Sequence, residues 1–171
     1  VGTFPTLSAA TAVGGDPGRA WLGTSGHGVA FLDIADPTAP DLAHLVYSDW
    51  TVTGLAASAQ RLLVAAGAGG LQVIDITNPG YPTVAGSLST PGSVQNVALA
   101  GDVAFLADYS GGVQIVDVSD PTSPTIIGNM PITYAFDVDV AGDQIFVACG
   151  SGLQVYDITN PLAPTLIGSL F

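Results

Sequence analysis

The chain has 171 residues, enough for one domain with a real core, and 48% hydrophobic against 9% charged content excludes charge-driven disorder. Its acidic residues are 14 Asp and no Glu, set against Arg19 and Arg61 and no Lys. The net charge of −12 repels phosphate backbones and anionic lipid surfaces, so nucleic acid is excluded as a partner class. No apolar run reaches the roughly 18 residues that span a bilayer, which argues against membrane insertion. A single cysteine, Cys149, excludes an internal disulfide framework and a cysteine-based zinc cluster. The chain opens on Val1 in what already reads as domain sequence, which suggests a processed form or a segment of something longer.

The strong helix formers Glu and Lys are missing, while Val, Ile, Thr and Gly abound, so the chain reads as all-β and rich in turns. In chain order, VGTF (1–4) resembles a closing strand, and the block VAFLDIADPTAP follows at 29–40. The block returns as LQVIDITNPGYP (71–82), VQIVDVSDPTSP (113–124) and LQVYDITNPLAP (153–164). Its block-ending residues are Asp33, Asp75, Asp117 and Asp157, spaced 42, 42 and 40 apart. Gly28, Gly70, Gly112 and Gly152 precede the blocks. Pro37, Pro79, Pro121 and Pro161 follow them, each with a second proline three residues on.

The third unit shows what one copy contains. VQNVALA (94–100), VAFLAD (103–108), VQIVDV (113–118) and TIIGNM (125–130) are apolar, β-branched runs separated by turn residues. The prolines cannot donate to a ladder and belong in the connections. Four antiparallel strands in roughly 42 residues are the blade of a β-propeller. The predicted units are 5–45, 46–88, 89–130 and 131–171 of a single domain over 1–171, with 1–4 as a closing strand. The strands are apolar on both faces, as expected of blades stacked between neighbours.

The blocks LQVIDITNP, VQIVDVSDPTSP and LQVYDITNP, each after an alanine-rich strand and a glycine turn, resemble the LVIVD repeat family. The resemblance covers essentially the whole chain. It implies a β-propeller-like surface protein of bacteria or archaea and says little about activity. It also implies an acidic residue at the end of the second strand; Asp108 fits, but Thr24, Ala66 and Cys149 stand there in the other units. Two arrangements of the ends follow. VGTFP completes the last blade of a closed four-bladed ring, which the usual blade range favours, or the terminal strands pair with another chain in an extended assembly.

The candidate chemistry is modest. Asp33, Asp75, Asp117 and Asp157 sit where a carboxylate accepts hydrogen bonds from a turn, and the same residue in every copy reads as structure. Calcium is the sharper alternative for these four, since it takes Asp, Asn and carbonyl oxygens. Asp137 and Asp139 lie two apart on an innermost strand and are expected to line the channel. They are candidates for a cation, a small polar ligand or an enzyme's carboxylate pair. His27 and His44 fall in different elements, and Cys149 lies among small apolar residues without a basic neighbour. The glycine turns join strands and open no helix, so they lack a phosphate cradle. Trp21, Trp50, Tyr81, Tyr109 and Tyr134 are scattered along the chain.

These readings lead to a non-catalytic structural or interaction module, extracellular or at the cell surface, without a resident cofactor. Its expected partner is another protein or a further copy engaged through the terminal strands. A calcium- or small-ligand-binding propeller is the alternative, and an enzyme using the channel carboxylates is the third reading.

Overall fold

The structure is a computed structural model and describes residues 8–171. Sixteen strands form four antiparallel sheets of four, each laid down in chain order. Blade 1 holds β1 (Ala10–Asp16), β2 (Arg19–Thr24), β3 (Gly28–Asp33) and β4 (Asp41–Val46). Blade 2 holds β5 (Gly54–Ala57), β6 (Arg61–Ala65), β7 (Leu71–Asp75) and β8 (Thr83–Leu88). Blade 3 holds β9 (Asn96–Ala100), β10 (Val103–Ala107), β11 (Val113–Asp117) and β12 (Thr125–Met130). Blade 4 holds β13 (Ala135–Ala141), β14 (Gln144–Cys149), β15 (Gly152–Asp157) and β16 (Thr165–Leu170). The four runs read from the third repeat are β9 to β12, and the repeated Asp ends the third strand of every blade.

The repeat fixes backbone details as well as strands. Gly28, Gly70, Gly112 and Gly152 have positive φ, and a Cβ on any of them would strike the carbonyl of Val46, Leu88, Met130 or Leu170 on the neighbouring strand. That double demand explains a glycine before every block. A bulge recurs between the third and fourth strands, at Phe31/Leu32, Val73/Ile74, Ile115/Val116 and Val155/Tyr156. It twists the outer edge strand, which discourages edge-to-edge pairing. The residue after each repeated Asp ties the two turns at that end of its blade together. Ile34, Ile76, Val118 and Ile158 donate their N–H to Gly18, Gln60, Asp102 and Asp143 carbonyls at 3.0, 2.9, 2.9 and 2.8 Å.

The core lies between the blades. Trp21, Val29 and Phe31 of blade 1 pack on Leu62, Val64 and Ile74 of blade 2. The same strand positions of blade 2, Leu63, Leu71 and Val73, pack on Ala104, Leu106 and Val116 of blade 3. Phe105, Val113 and Ile115 of blade 3 then pack on Ile145, Val147 and Ile158 of blade 4. Each joint is closed at one rim by a two-residue backbone bridge: Ser25 with Thr51, Gly67 with Val94, and Tyr109 with Ala135. Along the inner edge β1, β5, β9 and β13 stand side by side, but β13 does not pack along β1.

The described residues therefore form the expected four blades of a propeller-like fold, in which blades 1 and 4 each keep one face largely exposed. Blade 4 takes all four of its strands from β13 to β16. The expectation that residues 1–4 complete it lies outside the described residues.

Phe105 is fully buried in the third joint. Phe105→Ala should cost about 3–5 kcal/mol in urea denaturation, as expected for a large ring deleted from a packed core. A loss of under about 1 kcal/mol would show that the joint is not what stabilises the fold. Gly54 allows β5 to approach β9, since its Cβ would sit 2.9 Å from the Asn96 Cα. Gly54→Val should therefore destabilise by about 1–3 kcal/mol through overpacking.

Candidate functional site

One rim carries the repeated Asp turns. Asp33, Asp75, Asp117 and Asp157 each accept the backbone N–H two residues on, from Ala35, Thr77, Ser119 and Thr159, at 2.9, 2.8, 2.8 and 2.7 Å. The next acidic or amide residues repeat the motif: Asp36, Asn78, Asp120 and Asn160 accept from Thr38, Gly80, Thr122 and Leu162. The Thr77 hydroxyl and N–H hold the Asp75 carboxyl below the usual range, and Thr159 does the same for Asp157. Asp117 is lowered chiefly by the Ser119 N–H. These bonds occupy the carboxylates in ordering their own turns before the proline enters. Among the described residues, no three His, Cys, Asp or Glu side chains come together in a group able to hold a metal ion.

Asp137 and Asp139 are exposed on β13. They border a groove of about 360 Å³ along the inner strands, shared with Leu55 to Ala57 and Asn96 to Leu99. Each carboxylate accepts the N–H of the residue that follows it, Val138 or Val140, at 2.9 Å, and Asn96 Nδ2 donates to Asp137. The ion pairs among the described residues lie elsewhere, Arg19 with Asp16 and Arg61 with Asp102. His27 meets Tyr47 edge-on at 5.9 Å, and His44 lies 6.0 Å from Tyr81, so the structure does not bring the histidines together. Cys149 is buried, with Sγ 3.3 Å from both Ser151 Oγ and the Gly152 carbonyl.

Asp108 behaves differently from the turn aspartates. It is fully buried at the opposite rim, where it accepts Thr90 Oγ1 at 2.7 Å and the Gly92 N–H at 2.9 Å. Both donors belong to the crossover from blade 2 to blade 3, so this carboxylate clips that loop down. Burial pushes its pKa up, and the bonds from Thr90, Gly92 and Gln114 offset part of the rise. The matching residues Thr24 and Cys149 instead donate to a carbonyl in their own turn, of Gly28 and Gly152.

The residue after Asp108 opens the most distinctive surface. Tyr109 and Tyr134 have positive φ, +47° and +52°, where a non-glycine residue costs about 1–3 kcal/mol of strain. The second repeat places Gly67, at φ +57°, in the position of Tyr109. The Tyr109 ring lies 5.1 Å from that of Tyr134 and 5.8 Å from that of Phe136. The three rings are 40%, 46% and 48% exposed. Backbone bonds of 3.1 Å in both directions between Tyr109 and Ala135 hold the group across the joint of blades 3 and 4. Beside it, Ser110, Gly112, Asn129, Pro131 and Thr133 help line a cleft of about 480 Å³. Phe136 carried no signal in the sequence, and Tyr109 and Tyr134 stood as scattered aromatics. The readable clue was a tyrosine where another copy has glycine.

The model of the LVIVD repeat matches residues 53–90, 91–131 and 133–170. No curated protein matches the chain. Among solved structures, the chain resembles the computationally designed Ika8 protein, with a TM-score of 0.75 at 15% identity over 94% of this chain and 48% of that one. The computationally designed Ika4 protein matches with a TM-score of 0.68 at 16% identity, over 88% of this chain and 92% of that one. A functionally unknown protein from Desulfotomaculum acetoxidans DSM 771 matches with a TM-score of 0.78 at 10% identity, over 95% of this chain and 56% of that one. The chain thus spans about half the length of the Ika8 and Desulfotomaculum chains.

Asp108→Asn should destabilise the chain by about 1–3 kcal/mol at neutral pH, because an amide cannot accept from both Thr90 and Gly92. The folded wild type holds the Asp108 proton more tightly than the unfolded chain does. Stability linked to this group is therefore gained as pH falls through its raised value and lost as pH rises through it. The variant cannot take up that proton, so its deficit should widen from neutral to mildly acidic pH in parallel denaturation series. A constant deficit would contradict the raised pKa.

Proposed function

The chain belongs to the LVIVD repeat family, and from that premise we propose that it is a non-catalytic interaction module, acting outside the cell or at its surface. Its binding surface is the aromatic group of Tyr109, Tyr134 and Phe136 with the adjoining cleft. The observation that carries this reading is the strained, half-exposed ring cluster. Backbone strain persists where the surrounding structure holds it, and such positions gather at ligand clamps. Tyrosine and phenylalanine supply large contact area with few rotatable bonds, which suits a protein interface.

The composition supports the location, since a chain without Lys or Glu and rich in Asp, Thr and Gly fits an extracellular setting. The carboxylates with lowered pKa are engaged by their own turns, which supports a scaffold role over acid–base work. With a net charge of −12, the partner surface facing the rings is neutral or basic at its edge.

The test is binding of labelled protein to whole cells of its source. The triple variant Tyr109→Ser, Tyr134→Ser, Phe136→Ser should keep the wild-type circular dichroism and lose at least about tenfold in affinity, the equivalent of about 1.4 kcal/mol. Serine stands at the Tyr109 position in the first repeat, as Ser25, where it bridges to Thr51 without a positive φ. Unchanged, saturable binding by the folded variant would remove the aromatic surface from the proposal.

A further inference from the structure

The three blade joints are built from one repeated pair of faces, and a fourth copy of each face is left uncovered. On blade 4, Phe146, Leu153 and Leu170 occupy the strand positions of Phe105, Val113 and Met130, which are buried in the third joint. Leu153 is exposed and Leu170 is 72% exposed, and a shallow pocket of about 170 Å³ opens beside Phe146. On blade 1, Leu22 and Leu32 occupy the positions of Val64 and Ile74, which are fully buried in the first joint. Leu22 and Leu32 are only half-buried, and Val13, in the position of the buried Val97, is 75% exposed.

We infer that the blade 4 face of one copy docks on the blade 1 face of a second, and that two copies close head to tail into a ring of eight blades. The occupant is a second copy because each uncovered face repeats one half of a joint that the same chain already forms three times. The contact is thus continuous with an established interface in residue type, strand position and direction. The stoichiometry of two follows the length ratio, since this chain covers 48% of the Ika8 chain that it resembles. The joint differs from strand exchange between termini, because it forms through sheet faces and leaves every four-stranded blade intact. It is also separate from the aromatic rim, so either can fail alone. The contact is heterologous, and such contacts close only if the rotation per copy permits.

Light scattering with size-exclusion chromatography tests this on the 171-residue chain. The salt should be high enough to screen two like-charged copies. The expected mass is twice that of the monomer, and electron-microscope images should show eight blades about one axis. Val13→Asp and Leu170→Asp each change a side chain exposed in the single chain, so both variants should melt as the monomer does, yet each should weaken association at least tenfold. An equimolar mixture of the two should recover a dimer, since one supplies an intact blade 4 face and the other an intact blade 1 face. A folded wild-type monomer at high protein concentration would overturn the inference and give the faces to blades of another sequence. A dimer insensitive to both substitutions, or an unlimited polymer, would overturn it equally.

Discussion

A sheet that is apolar on both faces cannot stand alone in water, and that constraint shapes the whole molecule. Each blade offers residues such as Phe105 and Ile115 on one side and Leu106 and Val116 on the other. Burial of such side chains is worth about 1.5–3 kcal/mol each, so every face that a neighbouring blade covers adds to a blade's stability. Stacking is therefore obligatory, in the manner of repeat proteins whose units bury a core only against neighbours. The glycine before each block, the recurring bulge and the rim bridges all serve this stacking, because they set the strand path that brings one face onto the next.

The polar residues follow from the same constraint. With the sheet faces given over to packing, charge is confined to the rims and edges, and the aspartates gather in turns. There they order the chain around proline by accepting nearby N–H groups. A net charge of −12 also offsets the solubility cost of so apolar a chain. The repeated Asp does its work locally, in four equivalent places.

Departures from the repeat carry the individuality of the molecule. Asp108 stands where the other copies have Thr24, Ala66 and Cys149, and it clips the crossover from blade 2 to blade 3. Tyr109 stands in a left-handed position that Gly67 fills without strain. Asp108 faces the crossover from blade 2, while Tyr109, the next residue, bridges to blade 4 beside Tyr134 and Phe136, so the two exceptions adjoin at one rim. A regular scaffold holds such a site rigidly because the joints beneath it are fully packed.

Much of this was legible in the linear order of residues. The spacing of Asp33, Asp75, Asp117 and Asp157, with their glycines and prolines, determined four blades, their strands and their turns. Strand period, turn chemistry and proline exclusion are local properties, and local properties are written in neighbouring residues. The sequence did not show that Tyr109 meets Phe136, that Asp108 reaches Thr90, or that blades 1 and 4 each keep an exposed apolar face. Those facts depend on the angle at which one blade packs on the next. That angle is the sum of many side-chain contacts between residues far apart in the chain, and only the tertiary structure resolves it.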